Sequence, residues 1–146
     1  GRGIFIPCTE YVIGDISEES LINHKNKILV VATGGMYHEV QKAIRSVLID
    51  NGYADLYLLR FIKPLDETYF LELAKKYYGI VFVEDGVITG GIGQYLSGLL
   101  AKQGFSNTKV LGFEDRYYSH GSRDDILEAA GIDSTHIEKA IKLCSK

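Results

Sequence analysis

The stretch KILVVAT, residues 27–33, decides the fold. It is an apolar run of strand length, rich in β-branched side chains and ended by Gly34-Gly35. A run without polar alternation marks a strand covered on both faces. Immediately beyond it, Met36, Val40, Ala43, Ile44, Val47 and Leu48 recur at helical spacing until Asn51-Gly52 closes the segment. ADLYLLRFI (54–62) reads as a second strand, broken by Lys63-Pro64-Leu65-Asp66. Asp66 is placed to N-cap a helix carrying Phe70, Leu73, Ala74 and Tyr77 on one face.

The same alternation continues to the C-terminus. GIVFVED (79–85) is a third strand, followed by a glycine-rich turn and a helix with Ile92, Leu96, Leu99 and Leu100 on one face. KVLGFE (109–114) is a fourth strand. Two helices finish the chain. The first starts at Ser122 with Asp125 three residues on and stops at Gly131, and the second carries Ile137, Ala140, Ile141 and Cys144. Near-continuous apolar strands alternating with amphipathic helices predict an α/β fold, three-layer and doubly wound. Its mostly parallel sheet of about five strands has helices on both faces. Residues 1–26 break the rhythm and are expected to form an N-terminal arm, with one short edge strand near Tyr11 to Ile13. Residues 27–146 are the expected domain.

The 146-residue chain carries a net charge of -3 without clustered Lys and Arg, which argues against a nucleic-acid partner. Its longest apolar run, around Ile28 to Ala32, is too short to cross a membrane, and the N-terminus lacks the pattern of a signal peptide. Cys8 and Cys144 sit near opposite ends with no metal-binding spacing and are expected to be reduced thiols of a cytoplasmic protein. The only methionine is Met36 and the chain opens Gly1-Arg2-Gly3, so a processed product or a piece of a longer polypeptide is expected.

Three segments invite a functional reading. The turn GVITGGIGQ (86–94) could present backbone amides to a phosphate at a helix N-terminus. However, Gly91-Ile92-Gly93 is followed at the third position by Leu96, so the dinucleotide pattern fails, and a tight strand-to-helix turn is the competing reading. Glu84-Asp85 ends the third strand, where ligands of open α/β sheets usually sit. A carboxylate pair there could do acid/base work or hold a metal, or else cap a helix or face another domain. Ser119-His120-Gly121-Ser122 lacks the strand–GxSxG–helix setting of a hydrolase. Ser122 is therefore read as a cap and His120 as a turn or interface residue. Glu138 and Lys142 form an i, i+4 surface pair, and His24, His38 and His136 read as solvated.

RFIKPLDE (60–67), VFVEDGVITGGIGQYLSGLL (81–100) and EDRYYSHGSRDDILEAAGID (114–133) together resemble the C-terminal domain of the transketolase-type thiamine diphosphate enzymes. Within that superfamily the HGSRDDILEAAGID ending is most similar to the 1-deoxy-D-xylulose-5-phosphate synthases. GRGIFIP, YVIGD and KILVVATGGMYHEV also resemble that family's approach to its third domain. Transketolases proper and the β subunits of 2-oxoacid dehydrogenases share the fold but match the His120-Gly121 ending less well.

The resemblance implies a longer enzyme that decarboxylates pyruvate on thiamine diphosphate and condenses it with glyceraldehyde 3-phosphate. The product feeds isoprenoid (terpenoid), thiamine and pyridoxal synthesis. In the family, an N-terminal Gly-Asp-Gly…Asn pattern holds the diphosphate and Mg²⁺, and a middle domain supplies the activating glutamate. Glu84-Asp85-Gly86 is not that pattern, so no catalytic, cofactor-binding or metal residue is assigned to this chain. What transfers is a structural role, with Glu84, Asp85, Gly90, Gly91, Arg116, His120 and Ser122 as candidate contacts to other domains of the same polypeptide or to the second subunit of a homodimer. Relatives often carry a larger polar residue where Gly86 stands, which removes any specific contact expected there. A free-standing regulatory domain, binding a small anion at Gly86–Gly93, is the expectation from a different class.

Overall fold

All six residues of Ile28–Thr33 are buried and form β2, the central strand of the computed structural model. The structure describes residues 2–8, 24–59, 65–119 and 121–146. The expected strand at Tyr11 to Ile13, residues 60–64 of the RFIKPLDE motif, and His120 lie outside the described residues. In chain order the elements are β1 (Ile4–Ile6), β2, a 3-10 turn (Gly34–Met36), α1 (Tyr37–Ile49), β3 (Ala54–Leu59) and α2 (Glu67–Ala74). They continue with β4 (Gly79–Val87), α3 (Ile92–Lys102), β5 (Thr108–Phe113), α4 (Arg123–Ala130) and α5 (Ser134–Cys144).

The described strands form one five-stranded sheet in the order β1-β3-β2-β4-β5. β2 runs parallel to β3 and to β4, and β4 runs parallel to β5. Only β1 is antiparallel, pairing Ile4 with Leu58 and Ile6 with Leu56. This is the expected doubly wound α/β architecture.

The strand side chains alternate between two cores. Ile28, Val30, Ala32, Leu56, Val81 and Val83 face α1, α4 and α5. Leu29, Val31, Tyr57, Leu59, Ile80 and Phe82 face α2 and α3. Each fully buried Leu, Ile, Val or Phe contributes about 1.5–3 kcal/mol relative to exposure, so burying both strand faces drives the layering. Helix starts follow local chemistry. Asp66 accepts from Tyr69 N at 2.9 Å, Asp133 accepts from His136 N at 3.1 Å, and Ser122 with Asp125 forms a complete capping box. Gly131 ends α4 at φ 72°, a left-handed conformation that glycine adopts without a Cβ clash.

Two features of this topology position the polar end of the sheet. The β2–β3 crossover leaves β2 to one side and the β3–β4 crossover returns past β2 to its other side, so the crevice beyond the carboxyl ends of β2 and β4 is the topological switch point. In addition, the β4–β5 ladder slips between Val83 and Val87, whose partners are Leu111 and Phe113. The slip gives residues 84–86 extra chain length and bends them away from the ladder.

Candidate functional site

The Glu84 side chain leaves the irregular part of β4 and turns under the start of α3. It is 6% exposed, and its Oε1 accepts a hydrogen bond from the backbone N–H of Gly93. Gly93 lies in the first turn of α3, whose N-cap residue is Gly91. A carboxylate on an otherwise orphaned helix N–H satisfies the donor and complements the positive end of the helix. Only glycine permits the approach, since a Cβ on Gly91 would sit 2.9 Å from both Glu84 Oε1 and the Val87 carbonyl oxygen. Two further amides of the turn are also used. Gly90 N–H donates to Gln94 Oε1 at 2.8 Å, and Gly91 N–H donates to the Ile88 carbonyl at 3.0 Å.

This arrangement favours the tight-turn reading over an anion site at Gly86–Gly93. The helix N-terminus that would attract a phosphate already holds the Glu84 carboxylate, and a second anion there would meet a like charge. Of the readings open for Glu84, helix capping is the one the geometry supports.

Asp85 points the other way. Its Oδ2 lies 3.5 Å from the Arg123 guanidinium, and its Cβ packs against Gly34, where an added Cβ would be only 3.1 Å away. The end of β4, the turn after β2 and the start of α4 therefore meet at Asp85. Glu84, Asp85, Gly90 and Gly91 share one open cavity of about 620 Å³ with Glu67, Tyr95 and a few apolar neighbours. Tyr95 OH donates to Glu67 across the mouth, joining α3 to α2, and this bond raises the Tyr95 pKa above its ordinary value.

Arg116 and Ser122 do not line that cavity. Arg116 Nε is 3.1 Å from Glu114 Oε2, and the guanidinium lies 4.1 Å from the Tyr118 ring centroid. Ser122 is occupied by the capping box of α4. The candidate contacts thus divide into a crevice group and a loop group, with His120 outside the described residues.

Sequence reasoning missed a second buried carboxylate. Asp55, 3% exposed on β3, accepts from Cys8 N at 2.7 Å, Tyr53 OH at 2.9 Å and Tyr77 OH at 2.6 Å. Burial, and then the neighbouring Asp55 charge, push the Cys8 thiol up to about 12. Burial is also the leading cause of the upward shifts of Tyr53 and Tyr77, with Asp55 adding to both. All three groups stay protonated at neutral pH, so the cluster ties residues 2–8 to the sheet rather than moving protons. Its only sequence signal was a lone acid inside an apolar strand.

His24 is a smaller correction. It is half-buried rather than solvated, donating from Nε2 to the Asn51 carbonyl at 2.9 Å beside a second cavity of about 650 Å³. Among the described residues no cluster of three His, Cys, Asp or Glu could hold a metal ion, and no helix is long and apolar enough to cross a membrane.

The geometry defines a doubly wound α/β domain whose polar sheet end is largely bonded to itself. Residues 19–137 match the family described as transketolase, C-terminal domain, and the chain belongs to that family. It is 43% identical over 120 residues to a 1-deoxy-D-xylulose-5-phosphate synthase of Treponema pallidum (strain Nichols), a match covering 80% of this chain and 19% of that protein. Against the synthase of Parabacteroides distasonis it is 34% identical over 116 residues, covering 79% of this chain and 18% of that protein. With the synthase of Xanthomonas oryzae pv. oryzae (strain MAFF 311018) the identity is 43% over 84 residues, or 57% of this chain and 13% of that one. The chain therefore spans about a fifth or less of the length of these relatives. A solved structure titled "Split gene transketolase, inactive beta4 tetramer" shares the fold, with TM-score 0.72 and 18% identity over 85% of this chain and 41% of that chain.

Proposed function

We propose that this chain is the C-terminal domain of a cytoplasmic, homodimeric 1-deoxy-D-xylulose-5-phosphate synthase. That enzyme would condense pyruvate, after decarboxylation, with glyceraldehyde 3-phosphate. Residues 27–146 form the body of the domain, and residues 1–26 the arm that leads into it and adds β1 to its sheet. Its role is to brace that polypeptide and its dimer, not to perform the chemistry. The observation that carries this reading is the 43% identity to a synthase across 80% of the chain.

The residues present do not fit thiamine diphosphate and Mg²⁺. Glu84 is turned onto a helix amide, Asp85 faces Arg123, and the described residues offer no three-ligand acidic or His/Cys cluster. These groups therefore belong with the preceding domains. The Glu84 cap also weighs against a free-standing anion-binding domain.

Calorimetry with thiamine diphosphate and Mg²⁺ tests the reading, run on the 146-residue chain and on the longer polypeptide. Saturable binding and deoxyxylulose 5-phosphate formation are expected only of the longer polypeptide. Binding by the chain alone would overturn the proposal. Turnover of ketose phosphates or 2-oxoacids in place of the synthase reaction would reassign the chain to a transketolase or a dehydrogenase β subunit.

A further inference from the structure

We infer that the cavity beyond the carboxyl ends of β2 and β4 is a socket for a basic side chain, an arginine or lysine presented by the rest of the longer polypeptide. The inference rests on the domain assignment above and goes beyond it by naming one contact surface and the chemistry of what fills it.

Charge supplies the first argument. Glu67, Glu84 and Asp85 all line the cavity, and its described lining contains no Lys, Arg or His. Glu84 is buried, and its Oε1 accepts from Gly93 N–H. Asp85 meets Arg123 only at 3.5 Å through one oxygen. Carboxylates gathered at one site repel each other, and an opposite charge placed among them offsets that repulsion.

The shape of the site selects among cations. Leu65, Ile92 and the half-exposed Tyr95 add apolar and aromatic wall to a cavity of about 620 Å³. The aliphatic stem of an arginine or lysine suits such walls, and its charged head suits both the carboxylates and the face of an aromatic ring. A bare metal ion does not fit, since the described residues include no cluster of three ligands. A phosphate or carboxylate would add an anion to three others.

The occupant follows from what surrounds the domain. The Treponema relative is about five times longer than the matched segment, so most of such a polypeptide lies outside these residues. Tyr37, Val87, Tyr95 and Tyr117, at the start of α1, the end of β4, the start of α3 and the β5–α4 loop, are all large and exposed. Interface centres are enriched in tyrosine, and this end of the sheet presents it around an acidic socket.

Amide hydrogen exchange of residues 84–95 tests the socket, comparing the longer polypeptide with the 146-residue chain. Exchange about tenfold or more slower is expected in the longer polypeptide. Glu67→Lys should remove that protection there and Glu67→Gln should reduce it, whereas Glu72→Lys, outside the cavity on the same helix, should leave it intact. About 0.5 M salt should also weaken the protection. Equal exchange in the two proteins would overturn the inference. So would protection indifferent to both Glu67 variants, which would mean an apolar cover, or protection of the short chain that grows with its concentration, which would mean a second copy. Synthase turnover measured on the same preparations separates the two claims. An active enzyme with an open segment refutes the socket alone, and an inactive one refutes the domain assignment.

Discussion

Two glycines of α3 are expected to respond in opposite directions to the same substitution. Gly98 is exposed in the helix interior, and a Cβ added there meets nothing within 4 Å. Gly98→Ala should therefore stabilise the chain by about 0.5–1 kcal/mol, the backbone-entropy and propensity difference between the two residues. Gly93 differs only in its surroundings. Its Cβ would lie 2.6 Å from Glu84 Oε1, 2.9 Å from Phe82 Cβ and 3.1 Å from Val110 Cγ1. Phe82 Cβ cannot swing aside, because it is the root of a fully buried side chain on β4. The start of α3 must lift instead, which costs about 1–3 kcal/mol as overpacking. Lifting also loosens the bond from Gly93 N–H to the Glu84 carboxylate, worth about 1.5–3 kcal/mol for a charged acceptor. Even after the intrinsic alanine gain, Gly93→Ala should destabilise by about 2–4 kcal/mol.

Denaturant unfolding of the two single variants measures this difference directly, with an unchanged slope marking a change in stability rather than in the unfolded state. In thermal unfolding, each kcal/mol should shift the midpoint by about 2–4 °C in a chain of this size. Adding Glu84→Ala to Gly93→Ala should give a non-additive total, because the two residues share one hydrogen bond. A Gly93→Ala variant as stable as Gly98→Ala would refute both the close approach and the assignment of Glu84 as a helix cap.

Two further outcomes concern the Asp55 cluster. Asp55→Ala strands three donors, Cys8 N–H, Tyr53 OH and Tyr77 OH, and should cost about 3 kcal/mol or more in equilibrium unfolding, so a loss below about 1 kcal/mol would refute the lock. Cys8 titrates at about 12, above its ordinary value of 9.0, so the folded state holds the thiol proton more tightly than the unfolded chain. The corresponding stability is complete below the ordinary value and is lost as pH climbs towards 12, and thiol labelling at neutral pH should require unfolding. Labelling of folded chain at the rate of a free thiol would contradict this.

What the sequence disclosed and what it hid differ by the range of the interaction. The six buried residues of β2, the helical spacing of Val40, Ala43, Ile44 and Val47, and the Ser122–Asp125 capping box are all local, fixed by period or by a three-residue offset. The carboxylates that organise the tertiary structure are not. Glu84 reaches an amide nine residues on, Asp55 one 47 residues back, and Glu39 the Ser134 N–H 95 residues away at the start of α5. No spacing rule encodes such pairs, so an acid at a strand end reads equally well as a base, a ligand or a cap. β1 was hidden for a similar reason, since three residues carry too little pattern and Ile4–Ile6 is a strand only because β3 offers an open edge. The position of Glu84 then decides between the readings. At the switch point, where open α/β sheets usually receive an anionic ligand, this chain supplies its own carboxylate to the helix and leaves acidic surface facing outward. An end of the sheet that has exchanged a ligand's charge for an internal one is suited to meeting the basic surface of a neighbouring domain.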